Sequence, residues 1–297
     1  MLVRGLSTSY LEEGAGPVLL LVHGNLTTFR SWRRVIAEFR STHRVVAVSL
    51  PGYGSTSPQA DVELGTTVAF LTHFLDALSI DEAVVVGHSA GGLIAATFAL
   101  RNPGRVRRLV LADSAGLGRA VNPAAILTSL VPTPVANAVV SAMLLPGGSI
   151  PLVLLDVLQL RRPWRVSPRE WLEQARALQA RTVLSTSFKA VRTSIGLTGQ
   201  RRDYVFVDRL GELRMPTLVI WGVTDDVFPV WQAVRAVRKL PLGRLALLVG
   251  SGHIGYLDSH AEFIDFLSPF VRDELDPLPA TVDGGLTERD GDGGEPR

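Results

Sequence analysis

Two rhythms alternate along the chain. Short runs of consecutive apolar residues, Val18–Val22 (VLLLV), Val45–Leu50, Ala83–Val86 and Arg108–Ala112, are separated by stretches whose apolar positions recur every three or four residues, Ser31–Phe39, Thr66–Leu78 and Gly91–Leu100. A short apolar run with no polar face predicts a strand covered on both sides, and the intervening spacing predicts helices. Strand and helix in turn give an α/β fold: a mostly parallel central sheet with helices on both faces. The rhythm stops between about residues 116 and 212, where the chain is apolar, helical in spacing, broken by prolines and without a clear strand. It resumes with Thr217–Trp221 and Leu245–Val249 as strands, and Val230–Val237 and Ala261–Val271 as helices. The middle is therefore expected to be a helical cap (residues 117–212) inserted into one core (residues 1–116 and 213–274), with the polar, glycine-rich segment 275–297 a disordered tail.

Composition sharpens this picture mainly by exclusion. The 297 residues are 46% hydrophobic and 20% charged, enough for one large core plus an insertion. A net charge of +2, with arginine pairs that never extend into runs, leaves no footprint for nucleic acid. The absence of cysteine removes disulfides, thiolate nucleophiles and cysteine metal ligands. The first residues, MLVRGLSTSYLEEGAGP, lack the apolar core of a signal peptide, so a cytoplasmic location is expected. Ala125–Leu160 is very apolar, but Pro132, Pro134, Pro146 and Pro151 divide it into pieces shorter than the roughly 20 residues of a membrane span. A cap over an apolar pocket, with peripheral membrane contact as the lesser reading, accounts for it better. Nothing in the sequence speaks to oligomeric state.

The chemistry is concentrated after the strands. Gly87-His88-Ser89-Ala90-Gly91 is G-x-S-x-G between a strand and a helix, the context in which a serine is held on a sharp turn above the sheet. A serine hydroxyl needs a base. Of the six histidines, His253 follows the strand Leu245–Val249 at the edge where parallel sheets bind ligands, whereas His73 lies within a helix and His43 precedes a strand. The base needs an acid to fix its tautomer. Asp225, after Thr217–Trp221, is the choice, and Asp113, at the end of Arg108–Ala112, is the competitor. Backbone N–H groups of Asn25, after Val18–Val22, and Ala90 are expected to form an oxyanion hole. Leu26, His88 and Trp164 are the residues expected to meet substrate, although Trp164 and Trp171 suit anchoring of the cap to the core equally well or better.

VLLLVHGN, VSLPGYGSTSP, VVVGHSAGGLIA, LVIWGVTDDVFP and GSGHIGY match, in this order, the landmarks of the α/β-hydrolase superfamily. The resemblance spans about residues 8–116 and 213–273 and implies the same assignments: Ser89, Asp225 and His253 as catalytic triad, Asn25 and Ala90 as oxyanion donors. It implies no metal and no organic cofactor. Ser89 stands where haloalkane dehalogenases and epoxide hydrolases carry aspartate, so the likeness of HGNLTT to the dehalogenase segment predicts little. Ile254 stands where carbon–carbon hydrolases of ring-fission products typically carry tryptophan. The expected activity is hydrolysis of a carboxylic ester of a hydrophobic small molecule. The alternatives are carbon–carbon bond hydrolysis of a diketone, cofactor-free perhydrolysis, and a ligand receptor without turnover.

Overall fold

The computed structural model describes residues 1–273 apart from Pro146 and Ser149, so the tail expected to be disordered lies outside the described residues. Seven strands form the central sheet: β1 (Tyr10–Glu13), β2 (Val18–Val22), β3 (Arg44–Val48), β4 (Ala83–His88), β5 (Val106–Ala112), β6 (Thr217–Gly222) and β7 (Gly243–Leu248), in the spatial order β7-β6-β5-β4-β2-β3-β1. All neighbours are parallel except β1, which runs antiparallel to β3 at the sheet's edge. β1 lacks the continuous apolar run that marks the other strands. Its YLEE pattern carries two glutamates because an edge strand is only half covered, and Glu12 reaches across to Arg44 at 2.7 Å.

Successive side chains of each strand leave on opposite faces. Leu20, Val22, Val85, Leu109 and Val219 join one core cluster with α2 (Leu64–Ala77) and α3 (Ala90–Arg101). Leu19, Leu21, Val84, Val110 and Ile220 join the other, with α1 (Arg33–Phe39) and the last long helix, His260–Val271. Both faces are dry, which is why the strands read as unbroken apolar runs. The two predicted helices that begin these layers start slightly differently. Ser31–Phe39 opens with a 3₁₀ turn at Phe29–Trp32, and the helix predicted at Thr66 begins at Leu64.

The sheet order fixes where a site can be. From β2 the chain first adds β3 on one side, then crosses to add β4 on the other. The loops that leave β2 and β4 therefore diverge from a switch point, where parallel sheets open a crevice at the carboxyl ends of their strands.

Among the described residues five α-helices lie between β5 and β6: α4 (Pro123–Leu130), α5 (Thr133–Met143), α6 (Ile150–Leu158), α7 (Pro168–Leu178) and α8 (Arg181–Ser194). A two-residue ribbon, Ile195–Gly196 with Gly199–Gln200, follows them, a strand pair too short to leave a periodic signal. Prolines punctuate the segment as the sequence suggests. Pro132 precedes the 110° bend between α4 and α5, and Pro168 opens α7 next to a reciprocal cap in which Ser167 and Glu170 exchange hydrogen bonds. Among the described residues no single helix is long and apolar enough to cross a membrane, and only the bent pair α4–α5 reaches that composition jointly.

Candidate active site

Ser89 sits on the turn between β4 and α3 with φ 54° and ψ −123°, a left-handed conformation that costs a β-carbon-bearing residue about 1–3 kcal/mol. The surroundings hold it there. Its N–H donates to the Ala112 carbonyl at 3.0 Å, and its carbonyl accepts from Gly92 at 2.9 Å and Ala115 at 3.0 Å. Two glycines make the turn possible. A Cβ on Gly87 would stand 2.4 Å from the Gly91 carbonyl oxygen, and one on Gly91 would stand 2.3 Å from that of Val22. Both obstacles are backbone, so neither position can take a side chain without moving the sheet.

The turn brings together residues 136 and 164 positions apart. The Ser89 hydroxyl lies 3.0 Å from His253 Nε2, and His253 Nδ1 lies 3.0 Å from Asp225 Oδ2. The other carboxylate oxygen of Asp225 accepts from the N–H groups of Val227 (2.7 Å) and Phe228 (3.0 Å), so the loop after β6 itself aims the carboxylate. Asp225 has no exposed side-chain surface and His253 almost none, which keeps the pair out of competition with water. Asp113 does not reach His253. It accepts a hydrogen bond from Gly222 N–H at 2.8 Å, and burial, followed by the nearby charge of Asp225, pushes its carboxyl well above the usual carboxylate range.

On the other side of Ser89 lies the loop after β2. Neither Asn25 N–H nor Ala90 N–H donates to a protein acceptor among the described residues, and Ala90 is the first residue of α3, where helix N–H groups have no partner within the helix. Two further groups brace this loop. His23 is completely buried. Its Nε2 accepts from Leu50 N–H at 3.0 Å and its Nδ1 donates to the Gly24 carbonyl at 2.7 Å, while burial lowers its pKa to about 4. The Tyr53 hydroxyl donates to Asn25 Oδ1 at 2.6 Å, with burial raising the phenol to about 12. The Asn25 side-chain oxygen is thus already occupied.

A model for the alpha/beta hydrolase fold matches residues 17–260. The chain belongs to the α/β-hydrolase family. It is 29% identical over 292 residues to an uncharacterized protein of Mycobacterium tuberculosis, covering 91% of this chain and 79% of the relative. It is 28% identical over 283 residues to the 2-hydroxy-6-oxo-2,4-heptadienoate hydrolase of Pseudomonas putida, covering 92% and 96% respectively. Among solved structures it resembles a putative lipase of Acinetobacter baumannii, with a TM-score of 0.74 at 23% identity over 92% of this chain and 90% of that one.

In this hydrolase the inserted helices and the loops of the sheet edge enclose a cavity of about 610 Å³, and Ser89 and His253 lie on its wall. Leu26 faces it, held at φ 58° with its carbonyl accepting from Gln174 on α7 at 3.0 Å. Trp171 is also on the wall, but Trp164 is not: it is 76% exposed on the outside of the molecule, which corrects both roles offered for it. An aromatic residue in a cap has no pattern that tells inner from outer surface.

His88 is another of the side chains expected to meet substrate. It touches the cavity wall but is only 4% exposed, and its Nε2 lies 2.9 Å from the His253 carbonyl. A carbonyl only accepts, so Nε2 carries the proton. Nδ1 is buried without a partner, and burial, with His253 adding to it, lowers the pKa of His88 to about 3. His88 is a neutral strut beneath His253, packed against Tyr256 with ring centroids 5.0 Å apart. Tyr53, Gln174 and this role of His88 are absent from the sequence reading. Only the PGYG turn marked Tyr53 at all, and a turn motif says nothing of hydrogen-bond partners.

Proposed function

We propose that this hydrolase cleaves a carboxylic ester of a hydrophobic, uncharged small molecule through an acyl-enzyme on Ser89. The observation that carries the proposal is the continuous hydrogen-bond chain Ser89–His253–Asp225 beside the unengaged N–H groups of Asn25 and Ala90. As Ser89 Oγ attacks the ester carbonyl, His253 Nε2 takes its proton, and Asp225 stabilises the resulting imidazolium. The oxyanion receives hydrogen bonds from Asn25 and Ala90, each worth roughly 3 kcal/mol in the transition state. His253 then passes its proton to the departing alkoxide. A water, deprotonated by the same imidazole, attacks the acyl carbon, and the carboxylic acid leaves as Ser89 regains its proton.

The near full-length similarity to the heptadienoate hydrolase supports a second reading, carbon–carbon hydrolysis of a diketone by the same three residues. The substrate in that relative's name is a carboxylate, and the cavity wall of this chain suits one poorly. On that wall Glu170, Glu173 and Asp226 are ion-paired with Arg34, Arg33 and Arg161, which leaves Asp61 beside Arg30, whose guanidinium lies 5.3 Å from the Phe29 ring centroid. The wall therefore offers no net positive charge to hold a carboxylate, which favours the neutral ester.

The test has two stages. A fluorophosphonate probe should label the wild type and leave Ser89→Ala unlabelled. Steady-state turnover of a p-nitrophenyl ester series should then exceed, in kcat/KM, that of a vinylogous diketone acid. The reverse preference would install the carbon–carbon reading, and a phenol burst without turnover would point to a receptor.

A further inference from the structure

Asp258 is completely buried, five residues beyond His253 at the end of the short turn Gly255–Asp258, and takes no part in the hydrogen-bond chain above. Its carboxylate gathers donors from two remote parts of the chain. Oδ2 accepts from Gly252 N–H at 2.7 Å and from Arg161 N–H at 2.9 Å, with the Ser251 hydroxyl at 3.4 Å. Oδ1 accepts from Arg162 N–H at 2.6 Å. Gly252 immediately precedes His253, and Arg161 and Arg162 follow α6, the third inserted helix. The two segments also touch directly. His253 N–H donates to the Gln159 carbonyl at 3.0 Å, and a Cβ on Gly252 would stand 2.2 Å from that same oxygen. The His253 backbone is thereby fixed at both ends, its N–H on Gln159 and its carbonyl on His88 Nε2.

We infer that Asp258 is a positioning residue that locks the His253 loop and the foot of the inserted helices into one unit, so that the imidazole meets Ser89 only while that foot is seated. The inference rests on reading Ser89 and His253 as nucleophile and base. Its physical basis is that three backbone N–H groups, from both sides of the junction, converge on a single buried carboxylate, and charge-assisted bonds of this kind are short and directional. Without the carboxylate the two segments lose their common acceptor, and His253 keeps only Gln159 on the side facing the insertion. A displacement of about 1 Å at a reacting group can cost about 100-fold in rate.

Asp258→Asn is the test, because it preserves shape while turning an NH₂ group toward backbone donors. The titratable groups around His253 are Asp225 on the loop after β6, Asp113 behind it, neutral His88 beneath, and Asp258 itself. Two readouts are taken per titrated active site: kcat and KM for p-nitrophenyl acetate, and the rate constant of fluorophosphonate labelling at one fixed pH. Asp258→Asn should lower kcat about 10- to 100-fold with KM changed less than about 3-fold. The rate constant of labelling should fall by a similar factor, because an imidazole displaced from Ser89 activates the hydroxyl less well. Arg34→Ala, which loosens the inserted segment at its Glu170 contact instead, should raise KM and leave kcat near the wild-type value. Wild-type kcat and labelling rate in Asp258→Asn, with only a lower Tm, would overturn the inference and leave the active-site reading intact. An unlabelled wild type would overturn the active-site reading, and this inference with it.

Discussion

Two buried carboxyls, Asp225 and Asp113, lie at the carboxyl end of β6, and their hydrogen bonds separate their roles. Asp225 presents one oxygen to His253 and has the other fixed by two backbone N–H groups, whereas Asp113 is turned toward Gly222 N–H. The environment that pushes Asp113 toward its neutral form also leaves it unsuited to stabilise an imidazolium. Asp225→Asn should therefore lower kcat by about 10⁴-fold at pH 7 with the fold retained, because the amide cannot hold the required tautomer. Steady-state kinetics alongside thermal unfolding checks this. A loss under tenfold would mean that Asp113 takes over. His253 itself was legible in the sequence because it follows a strand at the ligand-binding edge. The strut His88 was not, because its role lies in a contact with a carbonyl 165 residues away.

At the scale of elements, the attachment of α7 to α1 can be divided into parts. Arg34 grips Glu170 with two hydrogen bonds of 2.7 and 2.6 Å, and Glu170 also closes the reciprocal cap with Ser167. Burial alone would raise the Glu170 pKa, but Arg34 and Ser167 outweigh it and bring the value to about 2. Glu170→Gln keeps the cap and removes the charge, and since both side chains are about one-quarter exposed it should cost less than about 1 kcal/mol. Glu170→Ala removes both and should cost about 1 kcal/mol more. Chemical denaturation of the two variants measures the difference, and equal losses would assign the whole effect to the ion pair. The helices of the insertion were legible as a group from proline and apolar spacing. Their orientation was not: Leu127 and Leu145 are each more than 60% exposed and absent from the cavity wall, although their stretch reads as the lining of a pocket. A helix that is apolar all round carries no sequence mark for its inner face.

For the molecule as a whole, the buried histidines set a pH dependence of stability. In the folded state the pKa of His23 is about 4 and that of His88 about 3, against 6.5 for a free imidazole. Below pH 6.5 the unfolded chain takes up protons that the folded chain refuses, so unfolding is favoured progressively as pH falls, until the folded pKa is reached. The slope approaches about 1.4 kcal/mol per pH unit for each histidine. Asp113 acts in the opposite sense, since its raised folded pKa lends stability at low pH that fades as pH rises through that value. Differences between single variants isolate each part. Urea unfolding from pH 7 to 4.5 should show a flatter stability profile in His88→Gln than in wild type, whatever its absolute stability, and parallel profiles would show that His88 is not held neutral.

The sequence by itself determined the layered architecture, the chain order serine–aspartate–histidine and the strand end to which each belongs. These follow from local features: apolar runs, turn-forming glycines, and the rule that parallel strands deliver their loops to one edge. Only the tertiary structure decided which aspartate faces His253, which tryptophan reaches the cavity, and that Asp258 joins the histidine loop to the inserted helices. Each of those depends on side-chain direction and on contacts between residues remote in the chain, which no local pattern records.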